Sequence, residues 1–312
     1  MRAEEEQPVS GSPAGCPSVE EGLGTVRIVT DSSANFEDPC FAERHGITIV
    51  PLTIQIGEQT YLDGVDITAE EVLQRMRHIS PYPAVSAPPI TVFEEIYQRL
   101  GRQTDQICVL VHSQHFTETF THAQEARASL LGRCQIAVID SQTTSLGLGY
   151  LVEAVAGVAE AGASLDEVVR VARSVIPRLY SVYYVDTLDY IERGGLLART
   201  QTILGTMLSI KPLLTIEDGQ LITMEKARTH SQAIDKMLEF VMEFTRIERL
   251  GILQSTLRTT DRTRMLQDRL ALELAWQQYP ITLYEPLIAS MIGPDAMGIA
   301  VLESASSRPE ML

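Results

Sequence analysis

Residues 27–36 read RIVTDSSANF. Ile28 and Val29 are apolar and β-branched, and Thr30 ends the run before Asp31, Ser32 and Ser33. This is the profile of a short buried strand entering a polar turn. In a doubly wound α/β protein, ligands sit at the carboxyl ends of the strands. A phosphate-binding turn would carry glycines there, so that the backbone could approach the anion. This turn has none. What it offers is a set of hydroxyls and one carboxylate.

Outward from this strand, apolar runs recur at 47–56 (ITIVPLTIQI), 106–112 (QICVLVH) and 135–140 (QIAVID). Helical patterns separate most of them. Thr68 and Glu71 form a capping box ahead of Val72, Leu73, Met76 and Ile79, which repeat at helical spacing. Helices are also expected over 91–101 and 118–131. A second box, Ser164 with Glu167, opens another that runs to about residue 176. Alternating strands and helices imply a mainly parallel sheet covered on both faces.

Beyond about residue 177 the pattern changes. YSVYYVDTL (180–188) reads as a strand, and KPLLTIEDGQLIT (211–223) as a hairpin turning at Asp218-Gly219. Strands are expected at 249–254, 281–286 and 298–303, with helices over 229–247 and 259–275. The fold class is therefore α/β, in two domains. We place a disordered acidic tail at 1–24, an N-terminal domain at 25–165 and a C-terminal domain at 166–312.

Composition narrows the function. The 312 residues carry a net charge of −16, with 45% hydrophobic and 21% charged residues. Such a balance disfavours a nucleic-acid backbone or an anionic membrane surface as partner. The run SLGLGYLVEAVAGVAEAGA (145–163) contains Glu153 and Glu160, so a buried helix is expected there rather than a membrane span. Cys16, Cys40, Cys108 and Cys134 form no C-x-x-C pair, and Cys108 sits inside a strand-like run. That pattern reads as thiols in a reducing cytoplasm rather than a disulfide or zinc framework.

Hydroxyls gather where the first domain's strands end. Thr30, Ser32 and Ser33 follow the first strand, Ser113 follows 106–112, and Ser141, Thr143, Thr144 and Ser145 follow 135–140. The proline-stiffened stretch YPAVSAPP (82–89) presents Ser86. Any one of these could be a cap; together they mark a candidate ligand site. No Walker loop, nucleophile elbow or H-E-x-x-H motif is present, so neither metal nor cofactor is expected. Asp31 is the one candidate nucleophile or magnesium ligand, which leaves a phosphotransfer or hydrolase enzyme as an alternative reading.

Several long stretches in order resemble the DegV family of bacterial fatty-acid-binding proteins. They are IVTDSSANF, GITIVPLTIQIGEQTYLDGVDIT, VDTLDYIERGG, LGTMLSIKPLLTIEDGQL with EKAR, and GPDAMGI, covering Arg27 to Glu303. The resemblance implies one long-chain fatty acid buried between two domains. Its carboxylate would lie near the strand-end hydroxyls and its tail in an apolar tunnel, with no catalysis by the chain itself. Some members present the acid to a partner fatty acid kinase.

Carried over residue by residue, the ligand-binding positions are Ser86, Ser113 and Gln114, with Val85 where the family has threonine. The portal positions are Leu196, Met291 and Gly293. Leu196 and Met291 stand where the family has arginine and histidine, so presentation to a kinase is expected to be slow here. A carrier for a different amphiphile is the second alternative. A tail of about 16 carbons offers roughly 11 kcal/mol gross on burial. One hydroxyl–carboxylate bond contributes about 1.5–3 kcal/mol. The tunnel should carry affinity while the polar groups orient.

Overall fold

The computed structural model describes residues 26–78, 82–187, 190–191, 210–274 and 279–305. The tail at 1–24 and Leu196 lie outside the described residues.

The chain opens with β1 (Val26–Asp31), α1 (Phe41–Arg44) and β2 (Thr48–Val50). Then come β3 (Thr53–Ile56), β4 (Gln59–Leu62), α2 (Ala69–Met76) and β5 (Ala84–Ser86). α3 (Ile90–Leu100), β6 (Gln106–Val111), α4 (Thr119–Ala126) and β7 (Gln135–Asp140) follow, and after them α5 (Ser145–Glu160) and α6 (Leu165–Val175). β1, β2, β6 and β7 form a four-stranded parallel sheet in the order β2-β1-β6-β7. The chain leaves β1 toward one neighbour and later returns beside it on the other side. The β1/β6 junction is therefore the topological switch point.

Two expectations change here. The 47–56 run is two strands in two sheets. Pro51 has no N–H for a ladder, and the chain turns there from the parallel sheet into a three-stranded antiparallel sheet, β4-β3-β5. The loop expected at 82–89 contains β5, which pairs Ser86 with Thr53 and Val85 with Ile54. Alternation along β5 turns Val85 inward and leaves Ser86 exposed.

The second sheet begins at β8 (Leu179–Tyr184), followed by the hairpin β9 (Lys211–Glu217) and β10 (Gln220–Ala227). Asp218 and Gly219 both take positive φ, 48° and 76°, as a tight two-residue hairpin turn requires. α7 (His230–Met242), β11 (Ile247–Gln254), α8 (Asp261–Glu273), β12 (Ile281–Leu283), α9 (Pro286–Ile292) and β13 (Met297–Glu303) complete the described chain. The sheet order is β10-β9-β8-β13-β11-β12, antiparallel except between β11 and β12. The boundary placed at 165/166 falls at the start of α6, and α6 packs against β6 and β7 of the first sheet.

α5 lies between the two sheets. It packs on β1 and β6 from one side and on β8 and β13 from the other. Its first eight residues are all buried, which accounts for an apolar sequence on every face. Among the described residues no helix is long and apolar enough to cross a membrane. At Gly251 of β11 an added methyl would lie 2.5 Å from a Leu146 methyl and 2.8 Å from the Tyr150 hydroxyl, so glycine sets how closely the second sheet approaches α5. Arg249 of β11 then crosses to the first domain, pairing with Glu153 and with Glu37 at 3.1 Å while its guanidinium covers the Tyr150 ring. Cys108 is a buried free thiol and Cys134 is also free. The thiol reading fails at Cys40, which is disulfide-bonded.

Candidate functional site

The opening turn is held by its own aspartate. Asp31 is fully buried, and Oδ1 accepts from the Ser33 amide at 2.9 Å and the Ser33 hydroxyl at 2.6 Å. Oδ2 accepts from the His112 amide at 2.8 Å, across the switch point. His112 Nδ1 lies 3.0 Å from the same oxygen, poorly aligned for a hydrogen bond. Burial alone would raise this carboxyl, but the adjacent His112 ring, with the His112 amide and Ser33 donating to the carboxylate, outweighs burial and holds Asp31 below the ordinary value. A carboxylate so buried and so fully bonded is a poor nucleophile and a poor metal ligand. It fastens β1 to β6.

The neighbouring hydroxyls close the same edge. Ser32 donates to Asp63 at 2.7 Å and accepts from the Leu52 amide at 3.0 Å, tying the turn to the three-stranded sheet. Ser145 takes φ of 59°; its amide donates to the Ser33 carbonyl at 3.0 Å, and its own carbonyl accepts from the Asn35 amide at 3.2 Å. The loops after β1 and β7 are thereby zipped together.

Of the expected binding residues, Ser113 is buried and its hydroxyl is engaged. Oγ donates to the Gly219 carbonyl at 2.6 Å and accepts from the His115 amide at 3.2 Å, so it clasps the tip of the β9–β10 hairpin. Ser113→Ala is expected to cost about 1–2 kcal/mol in urea unfolding, because the Gly219 carbonyl stays buried without its donor. A loss below about 0.3 kcal/mol would contradict the clasp. Gln114 and Ser86 are exposed, and neither side chain makes a hydrogen bond within the described structure.

Val85 and Met291 pack against one large apolar cluster, and β5 and α9 touch. That cluster joins Ile54 and Ile56 of the small sheet and Leu73 and Met76 of α2 to Ile288 and Ile292 of α9. Gly293 takes φ of 87°, and a methyl there would lie 2.6 Å from the Tyr190 ring. Tyr190 in turn packs at a tilt against Tyr82, with ring centroids 4.3 Å apart. The structure therefore joins Val85, Met291 and Gly293 on an apolar and aromatic side, and Ser113 and Gln114 on a polar one. Ser86 faces away from Val85.

The 293–295 loop is gripped by two arginines that its sequence does not announce. Arg77 donates to Asp295 at 3.2 Å and Ser255 at 3.0 Å, and Arg262 donates to the Asp295 carbonyl at 3.3 Å. Two buried acids were also missed. Asp63 and Glu285 are each pushed up to about 7, chiefly by burial. A lone acid within ITLYEPLIASMIG (281–293) was the readable signal for Glu285. An open cleft of about 620 Å³ elsewhere is lined by Lys226, Arg228, Asp235, Lys236 and Glu239, a charged wall unsuited to an acyl chain. Among the described residues no group of three or more His, Cys, Asp or Glu could hold a metal ion.

Known proteins share this architecture. The profile of the family described as "Uncharacterised protein, DegV family" matches residues 25–304. A DegV domain-containing protein of Caldanaerobacter subterraneus subsp. tengcongensis is 34% identical over 281 residues, covering 88% of this chain and 97% of its own. One from Streptomyces coelicolor is 32% identical over 278 residues, covering 88% and 98%. A DegV family protein of Thermus thermophilus, solved for its fatty acid binding, superposes with a TM-score of 0.79 at 27% identity, over 90% of this chain and 100% of that one. The fatty acid binding DegV family protein of Streptococcus agalactiae gives a TM-score of 0.81 at 22% identity over 91% and 100%, a likeness of fold alone. A match of profile, relatives and architecture over nearly the whole chain establishes that this protein belongs to the DegV family.

Proposed function

We propose that this protein binds one long-chain fatty acid at the seam between its domains and performs no chemistry on it. The observation that carries the reading is the apolar cluster running unbroken from the small sheet and α2 to α9 of the second domain. It lies beside a strand edge rich in hydroxyls, and the likeness to the Thermus thermophilus protein points to the same ligand class. The tail would enter between β5 and α9, past Val85 and Met291. The exposed Ser86 and Gln114 have donors free for the carboxylate, and Ser113 would hold the hairpin against the site. The saturation of Asp31 weighs against an enzyme built on that residue.

A partner kinase would meet an uncharged Met291 in the last turn of α9, and among the described residues Arg77 and Arg262 beside it already hold Asp295. We therefore favour binding over efficient presentation. Calorimetric titration of the delipidated chain with palmitate should show one site. Val85→Asp and Met291→Asp should each weaken it by at least tenfold, since a charge would enter the apolar wall. Unchanged affinity in both variants would remove the acyl chain from this seam.

A further inference from the structure

Glu285 bounds α9 at its N-terminus, yet its side chain does not cap that helix. It reaches across the seam instead. Thr144 Oγ1 donates to Oε1 at 2.7 Å, and Asn35 Nδ2 lies 3.4 Å from Oε2. The same Asn35 amide donates to the Leu283 carbonyl at 2.6 Å and to Ser145 Oγ at 3.1 Å. One buried carboxyl and the carbonyl two residues before it thus dock the α9 end of the second domain onto the zipped loops of the first. Both Asn35 and Thr144 reach the seam through their side chains and, as donors, favour the charged acid, whereas its complete burial between the domains opposes that charge.

Among the described residues no cation pairs with Glu285 or with Asp63, which acts on it from the first domain. Tyr183 of β8 senses the Glu285 charge, Asp31 beside His112 acts on Asp63, and Arg249 with Glu37, Glu153 and Tyr150 spans the seam elsewhere. The Arg77–Asp295 pair lies beyond the far end of α9, acting on Tyr284. A carboxylate formed at Glu285 would sit in a dry seam beside other acids, where ionisation works against closure.

We propose that Glu285 is a proton-operated latch between the two domains: neutral, it keeps the α9 segment docked on the strand-end loops, and ionised, it lets that segment go. Burial pushes Glu285 up to about 7, with Ser145 and Thr144 opposing the rise and Asp63 adding to it. A group raised in the closed state favours closure fully below its ordinary value of 4.5, and that advantage is lost as pH rises through about 7. With the open state near the ordinary value, the opening equilibrium should rise about tenfold between roughly pH 6 and pH 8. The latch would regulate the seam proposed above as the lipid site, but it operates whether or not lipid is the ligand.

Amide hydrogen exchange on the full, ligand-free chain tests it, with rates corrected for the intrinsic pH dependence. Peptides spanning 141–150 and 281–297 should lose protection about tenfold between roughly pH 6 and pH 8. Glu285→Gln should hold protection constant across that range. Asp63→Asn should move the transition to lower pH, because it removes a negative charge that raises Glu285. Flat protection in the wild type, or the same fall in Glu285→Gln, would overturn the proposal. The wild-type profile and Asp63→Asn decide the matter even if Glu285→Gln does not fold. Failure to bind fatty acid would leave these results unaltered.

Discussion

Asp31→Ala is expected to destabilise the chain by about 3–5 kcal/mol, the largest effect of any single polar replacement at the strand edge. The carboxylate satisfies the Ser33 amide, the Ser33 hydroxyl and the His112 amide, all buried. Removing it leaves those donors without an acceptor and His112 without its anion. Asp31→Asn should fall between the two, because its amide oxygen can replace one acceptor while its NH₂ confronts another donor. The native Asp31 carboxyl is held below the ordinary value, so its contribution is present above the unfolded value and lost only as pH falls through the folded one. Urea unfolding at neutral pH measures the loss. A change below about 1 kcal/mol for Asp31→Ala would show that Asp31 is spare and reopen a catalytic role for it.

Gly149→Ala should unfold the protein or cost more than about 3 kcal/mol, although helix propensity alone favours alanine by about 1 kcal/mol. A methyl at Gly149 of α5 would overlap the Asn35 carbonyl, and that oxygen belongs to backbone pinned to Ser145. Neither element can withdraw without unzipping the loops after β1 and β7. Gly157 supplies the control on the same helix, since it is exposed with nothing within 4 Å of an added methyl. Gly157→Ala should stabilise by about 0.5–1 kcal/mol. Opposite signs at two glycines eight residues apart would locate the constraint in the packing. A stabilising Gly149→Ala would mean that α5 does not sit against the 31–35 turn.

Most of the scaffold was legible because it is encoded locally. β1, β6 and β7 are continuous apolar runs because a parallel sheet is covered on both faces. The boxes at Thr68 and Ser164, and the turn at Asp218-Gly219, are short-range signals that the structure repeats. The break at Pro51 was harder to read. A proline within an apolar run says that a ladder bond is missing without saying that the chain changes sheets. β5 was hidden by the prolines around it, since three residues pairing with β3 leave little periodicity to detect.

The candidate site was legible by type and not by contact. Ser113 was expected to meet the ligand, and the structure spends its hydroxyl on the protein itself, as it does those of Ser32 and Ser33 in the turn after β1. Ser113 meets Gly219, 106 positions away, and no local pattern announces such a bond. Glu285 looked like an ordinary acid because its partners Asn35 and Thr144 lie in the other domain, and Asp63 because its partner Ser32 lies 31 positions away. The cations at the 293–295 loop come from α2's end and from α8, far from the loop in sequence.

Mass spectrometry of the full chain as purified, first under native conditions and then after solvent extraction, tests the central claim most directly. A buried acyl chain of about 16 carbons gains roughly 11 kcal/mol gross, enough for the ligand to survive purification. The account predicts one fatty acid per chain, seen as a single added mass that extraction removes and identifies. Absence of any stoichiometric lipid, together with failure of the extracted protein to take up added palmitate or oleate, would contradict it.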